Sequence, residues 1–445
     1  MKTMTLSVGL FLIGILGLSC LSTSIFKQQD GALAQQYIQT IKYRNLVIDL
    51  GNGVKTNAQL TLPAIGKGPF PGILLIHGSG ANDKNGTLGF VHKNGPKPLT
   101  PLWQMAQYLS ERGFAVLRYD KRGVGANFTI DQNVWGNATV NDLIQDSKRA
   151  LNVLIQQPEV DPKRISIIGH SEGAIIAPTV AIDNSTKVKN IILMGTPAQN
   201  LRDLLHYQAV SLPSEYATQV LDKNRTGLIS IQQIAKDPVL RNLLVPSSVL
   251  LTFLRTNNTK VITNDLVNKF GNNTVESGYI SIDKQLKPLF TKRFENFTAF
   301  SLSKCNNLEG CPVWYKSLFS LIPTLSIVGN VSKSTGILIL NGENDSDTPV
   351  QQAFLLQQRL TDVKHPDHTL ITYPNLGHVF YPSSQWETRN GPIQQYVLAD
   401  IYAWLEAHSG LSHSYVSTTT ASTIGANTSS LNTTMASPSS SSSKG

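Results

Sequence analysis

Short, continuously apolar runs alternate with amphipathic stretches in two separated parts of the chain. "GILLI" (72–76), "FAVLRYD" (114–120), "RISIIG" (164–169) and "VKNIILMG" (188–195) carry apolar side chains at successive positions, the pattern of strands covered on both faces. Between them, "LWQMAQYLSERG" (102–113), "VNDLIQDSKRALNVLIQQ" (140–157) and "EGAIIAPTVAID" (172–183) space their apolar residues as helices do. The alternation stops after Thr196, and up to about Thr335 there are helical patches and many asparagines but no strand series. It resumes with "GILILNGEND" (336–345), "HTLITYPNLGH" (368–378) and a closing helix over "GPIQQYVLADIYAWLEAH" (391–408). Ahead of the series, two β-rich runs around "GNGVK" (51–55) predict an antiparallel hairpin.

Strands each followed by a helix require crossover connections. The pattern therefore predicts an α/β fold: a mostly parallel sheet with helices on both faces, its core divided between residues 37–199 and 336–408. The intervening 200–335 reads as an inserted, largely helical cap over the carboxyl edge of the strands, where parallel sheets bind ligands.

That edge is where chemistry is expected. In "IGHSEGAIIAP" (168–178), Ser171 follows a strand and opens a helix, and Gly169 and Gly173 leave room for a sharp turn. A serine hydroxyl becomes a nucleophile only when a base takes its proton, and that base needs an orienting acid. Downstream, Asp345 lies in the loop after one strand and His378 in the loop after the next, which makes Ser171, Asp345 and His378 the candidate catalytic set. Asp347 is the rival acid, two residues on in the same loop. His365 and His368 fall at the opposite end of their strand, and the His170 side chain is expected to point away from the pocket. Donors for an oxyanion are expected at the backbone N–H groups of Glu172 and Ser79, the latter in "LLIHGSGANDKNG" (74–86).

These segments form a recognisable set. "HGSG" (77–80) with Asp83 and Lys84, "YDKRGVG" (119–125), and "GHSEG" (169–173) followed by "IAP" resemble the serine-esterase branch of the α/β-hydrolase superfamily. The resemblance covers 70–200 and 336–408. It implies hydrolysis of small carboxylic esters with no cofactor and no metal. Family members often place a further glycine where Ala174 stands. Asp120 and Arg122 are expected to tie their loop together, as are Asp83 and Lys84. A serine exopeptidase or acyl-peptidase on the same fold and a non-catalytic surface binding protein are the competing readings.

Composition changes this picture at the edges. The chain has 445 residues, 41% of them hydrophobic, and a net charge of +9. Its basic residues form no long run and do not interleave with aromatics, so nucleic acid is not an expected partner. Residues 1–34 hold an almost charge-free apolar stretch, read as a secretion signal or a membrane anchor, which places the protein outside the cell or on its surface. Export makes Cys305 and Cys311 an expected disulfide, turns the recurrent N-x-[ST] sites into glycan acceptors, and suits the Ser/Thr-rich tail of 409–445. Within the cap, "LDKNRTGLISIQQI" has the spacing of a calcium-binding helix-loop-helix around Gly227 and Ile229, echoed around Gly278 and Ile280. Its ligands do not match, since Asp222 is the only carboxylate left and Gln233 stands where a bidentate Glu belongs; a paired fold that has lost its ion is expected.

Overall fold

The computed structural model describes residues 40–88, 98–125, 129–271, 278–301 and 312–411. Cys305, Cys311, the N-terminal segment 1–34 and the tail beyond 411 lie outside the described residues. No described helix is long and apolar enough to cross a membrane.

The hairpin pairs β1 (Ile41–Asp49) with β2 (Lys55–Pro63). There follow β3 (Phe70–Ile76), α1 (Pro101–Ser110), β4 (Ala115–Tyr119), a helical turn α2 (Gln132–Trp135), α3 (Val140–Ile155), β5 (Val160–His170), α4 (Glu172–Asp183) and β6 (Val188–Met194). After the insertion come β9 (Gly336–Gly342), a helix at Gln351–Asp362, β10 (His368–Tyr373) and a last helix at Gln395–Ser409. The main sheet has the order β1-β2-β4-β3-β5-β6-β9-β10. All pairings from β4 onward are parallel, and β2 joins β4 antiparallel.

All seven residues of β3 and of β9 are buried, as their apolar runs require, because helices cover both faces. One face packs against α3, α4 and the helix at Gln351–Asp362, the other against α1 and the last helix. The last helix starts at Gln395, four residues later than its sequence suggests. Gln104 on α1 explains this: its Oε1 accepts the Ile393 N–H at 2.9 Å and its Nε2 donates to the Ile393 carbonyl at 2.9 Å, holding that segment extended.

The insertion is helical and has its own core. A run of helix from Leu201 to Leu221, opening with α5 (Leu201–His206), is broken by π turns at Tyr207–Ser211 and Ala217–Leu221. Two three-residue strands, β7 (Leu228–Ser230) and β8 (Tyr279–Ser281), then pair antiparallel. They bring Ile229 opposite Ile280, both fully buried among Phe290, Leu266 and Ile234. The glycines at 227 and 278 stand just ahead of these strands, each at positive φ. In the first loop Asp222 is satisfied by the loop itself, accepting the Thr226 N–H and hydroxyl at 2.9 Å and the Gly227 N–H at 2.6 Å. Gln233 caps its own helix, its Oε1 accepting the Ser230 N–H. Among the described residues no three His, Cys, Asp or Glu side chains group as metal ligands do.

Candidate active site

Ser171 sits between the end of β5 and the start of α4 with φ 56° and ψ −116°, a conformation that side chains other than glycine rarely adopt. Such strain costs on the order of 1–3 kcal/mol and persists only where the surroundings enforce it. Here the enforcement is close packing. A Cβ on Gly169 would lie 2.2 Å from the Gly173 carbonyl oxygen, and one on Gly173 would lie 2.2 Å from that of Ile76. Both positions therefore exclude any side chain, and the turn lifts Ser171 to the carboxyl edge of the sheet.

The loops after β9 and β10 meet at that edge. His378 Nδ1–H donates to Asp345 Oδ2 at 2.9 Å, and both residues are buried. Asp345 is itself held firmly: its Oδ1 accepts the N–H groups of Asp347 (2.9 Å) and Thr348 (2.7 Å), and its Oδ2 accepts the Thr348 hydroxyl (2.6 Å). Burial works to lower the His378 pKa, but the Asp345 charge, its hydrogen bond and the Asp347 charge outweigh burial and raise the pKa to about 9. Asp347 makes no such contact with His378 Nδ1. Its pKa is raised, chiefly by burial, with the His378 charge opposing and the Asp345 charge adding. Asp345, not Asp347, is thus the partner of the histidine.

Ser171, His378, Ser79 and Glu172 border one cleft of about 460 Å³, part of it continuous with solvent. Its remaining wall is mainly apolar, with Ile175 from α4, Leu201, Leu204 and Leu205 from α5, and Trp314 and Leu318 from a second cap helix at Pro312–Phe319; Asp347, Thr348 and Gln208 supply a polar corner. Gln208, in the first π turn, donates to the Asp347 carbonyl at 2.5 Å. Of the aromatics on the helix at Pro312–Phe319, Trp314 packs into the main core and also borders the cleft, whereas Tyr315 packs into the same core beside Phe297 and is not among the cleft residues.

Several residues near the site were not legible as such. His170 stays out of the cleft lining, but its Nε2–H donates to the His378 carbonyl at 2.9 Å and the two rings lie 4.7 Å apart. Burial, then the His378 charge, lowers its pKa to about 4, so it is a neutral prop. Gly195, at the end of β6 with φ 56°, is another: a Cβ there would lie 3.0 Å from His378 Nδ1. Asp83 and Lys84 do not pair with each other. Asp83 binds Thr87, its Oδ2 accepting the hydroxyl at 2.8 Å, while Lys84 reaches Asp120 at 3.5 Å. Arg122 grips Asp146 with two nitrogens, at 2.6 and 2.7 Å. Between them in sequence, Lys121 turns inward and pairs with the Glu172 carboxylate at 2.6 Å. Nothing in the sequence marks this burial, because a lysine between two loop-tying residues carries no local signal of it.

Residues 71–384, more than half of the chain, match the α/β hydrolase fold family, and the chain belongs to that family. Esterase EstD of Thermotoga maritima is 31% identical over 156 residues, covering 35% of this chain and 34% of that protein. The protein YfhR of Escherichia coli is 28% identical over 95 residues, covering 21% of this chain and 31% of its own length. The chain spans between about a third and a half of the length of the curated relatives it matches. Among solved structures, the proline iminopeptidase of Mycobacterium smegmatis aligns with a TM-score of 0.47 at 12% identity, over 82% of this chain and 99% of that one.

Proposed function

We propose that the protein is an exported serine hydrolase that cleaves small carboxylic esters through an acyl-enzyme. The observation that carries the reading is the Asp345–His378 hydrogen bond of 2.9 Å, on the same cleft as a serine held at φ 56°. The likeness to an esterase over a third of the chain supports the choice of ester.

In this reading His378 Nε2 takes the Ser171 hydroxyl proton as the Oγ attacks the ester carbonyl carbon. Asp345 keeps Nδ1 protonated and stabilises the imidazolium. The N–H groups of Ser79 and Glu172 receive the oxyanion, a term worth about 3–4 kcal/mol for one such donor. Collapse of the tetrahedral intermediate breaks the bond to the alcohol oxygen, which leaves with the proton from His378. A water, deprotonated by the same histidine, then releases the acid and restores Ser171. The apolar wall of the cleft takes the acyl chain, and no cofactor enters any step.

The apolar run between Thr5 and Phe26 supports export, with the N-x-[ST] sites as glycan acceptors. One observation favours the peptidase alternative: Asp347, an acidic residue of the kind that pairs with a substrate ammonium, is among the residues that line the cleft.

A fluorophosphonate probe and p-nitrophenyl esters of graded chain length test the assignment. Labelling and turnover in the natural protein that vanish together in Ser171→Ala are expected. A folded protein with neither would overturn it, and turnover of aminoacyl p-nitroanilides without esters would transfer the site to the peptidase.

A further inference from the structure

We infer that the buried Lys121–Glu172 ion pair, closed by Trp314 of the cap, is the positioning device that aligns both oxyanion donors and makes their alignment depend on the seating of the cap. The inference rests on the reading of Ser171 as nucleophile. Glu172 is the residue after Ser171, and its side chain is buried to 1% exposure. Lys121 Nζ donates to Glu172 Oε2 at 2.6 Å and, with the same ammonium, to the Gly78 carbonyl oxygen at 2.6 Å.

The Gly78 carbonyl belongs to the peptide unit whose N–H is that of Ser79. A trans peptide is planar, so fixing its oxygen also fixes the direction of its N–H. Asn82 Nδ2 donates to the same oxygen at 2.9 Å, leaving that plane little freedom. One ammonium thus holds the Ser79 peptide on one side and the Glu172 side chain on the other. Glu172 Oε1 in turn accepts the Trp314 indole N–H at 2.8 Å. Trp314 lies on the inserted segment, and its ring lines the cleft. The cap therefore supplies the last partner of the carboxylate beside the nucleophile.

Stability alone does not account for this arrangement. Two charges withdrawn from water cost several kcal/mol each, and replacing such a pair with apolar groups of similar size is often neutral or stabilising. What the pair adds is direction, since donors that stabilise a transition state must be set before charge develops.

The test compares Trp314→Phe, which keeps a ring but loses the N–H, with the double variant Lys121→Met/Glu172→Gln, which removes both charges together. For each, kcat and KM on p-nitrophenyl butyrate, the Ki of an alkyl trifluoromethyl ketone and the thermal midpoint are measured. The double variant is expected to lose about 100-fold in kcat with KM within about twofold, and the ketone to weaken in step with kcat/KM. Trp314→Phe is expected to lose about 5-fold in the same two quantities. An unchanged kcat and Ki in the double variant, or a lower thermal midpoint with Ki unchanged, overturns the inference. If the double variant does not fold, Trp314→Phe decides alone, and unaltered kcat and Ki overturn it. Failure of the serine-hydrolase reading shows separately, as absence of Ser171-dependent turnover in the natural protein.

Discussion

Asp345 and Asp347 differ less in charge than in contact, and that separates their expected phenotypes. Asp345 holds the Nδ1 proton of His378, so Asp345→Asn is expected to present an amide that favours the wrong tautomer. A loss of about 10⁴-fold in kcat is expected from steady-state kinetics. Asp347 acts on His378 through space, its charge being one of those that raise the pKa to about 9. In the proposed mechanism the imidazole must be neutral to accept the serine proton, so kcat/KM is expected to rise with pH through that pKa, on the alkaline side of the ordinary histidine range near 6.5. Asp347→Asn removes a charge that favours the protonated form. The rising limb of the kcat/KM profile is therefore expected to move to lower pH, and a limb that stays in place would show that Asp347 has no such influence. At Gly195, alanine is expected to lower kcat by about 10-fold, because a Cβ 3.0 Å from Nδ1 must displace the ring at a backbone angle alanine disfavours.

At the scale of elements, local sequence chemistry did most of the work in the core. The helix α3 begins where Thr139 accepts the Asp142 N–H at 3.0 Å and Asp142 accepts the Thr139 N–H at 2.9 Å, a reciprocal cap written within four residues. Thr139→Ala is expected to cost about 1 kcal/mol in chemical denaturation while leaving kcat unchanged. The strands of the core were legible because burial on both faces demands uninterrupted apolar runs. β7 and β8 were not, since three residues are too few to show a period and each is a strand only because the other pairs with it. The late start of the last helix had the same kind of cause, a hydrogen-bonded grip by Gln104 from 289 positions earlier in the chain.

For the whole molecule, the sheet and the insertion divide the labour: the sheet edge presents Ser171, Asp345 and His378, and the cap supplies most of the apolar wall. Enlarging that wall is expected to change selectivity more than rate. Leu204→Ala is expected to shift the p-nitrophenyl ester optimum toward longer acyl chains, with kcat on the preferred ester within about threefold, since a removed side chain leaves space without touching the reacting atoms. An unchanged chain-length profile would place the acyl group elsewhere.

The sequence by itself determined the fold class, the split of the core around an insertion and the chain order of Ser171, Asp345 and His378. These follow from periodicity and turn chemistry, which act between near neighbours, and from the rule that loops at the carboxyl ends of parallel strands share one edge. The sequence put Asp345 ahead of Asp347, but the contact itself is tertiary: the two share one loop and one chemistry, and the direction the turn gives each brings Asp345 to His378. Tertiary structure also decided that Lys121 turns inward, that His170 props His378, and that Trp314 closes on Glu172 across 142 positions of sequence. Contacts of that span depend on how whole layers pack, and no local pattern of residues encodes them.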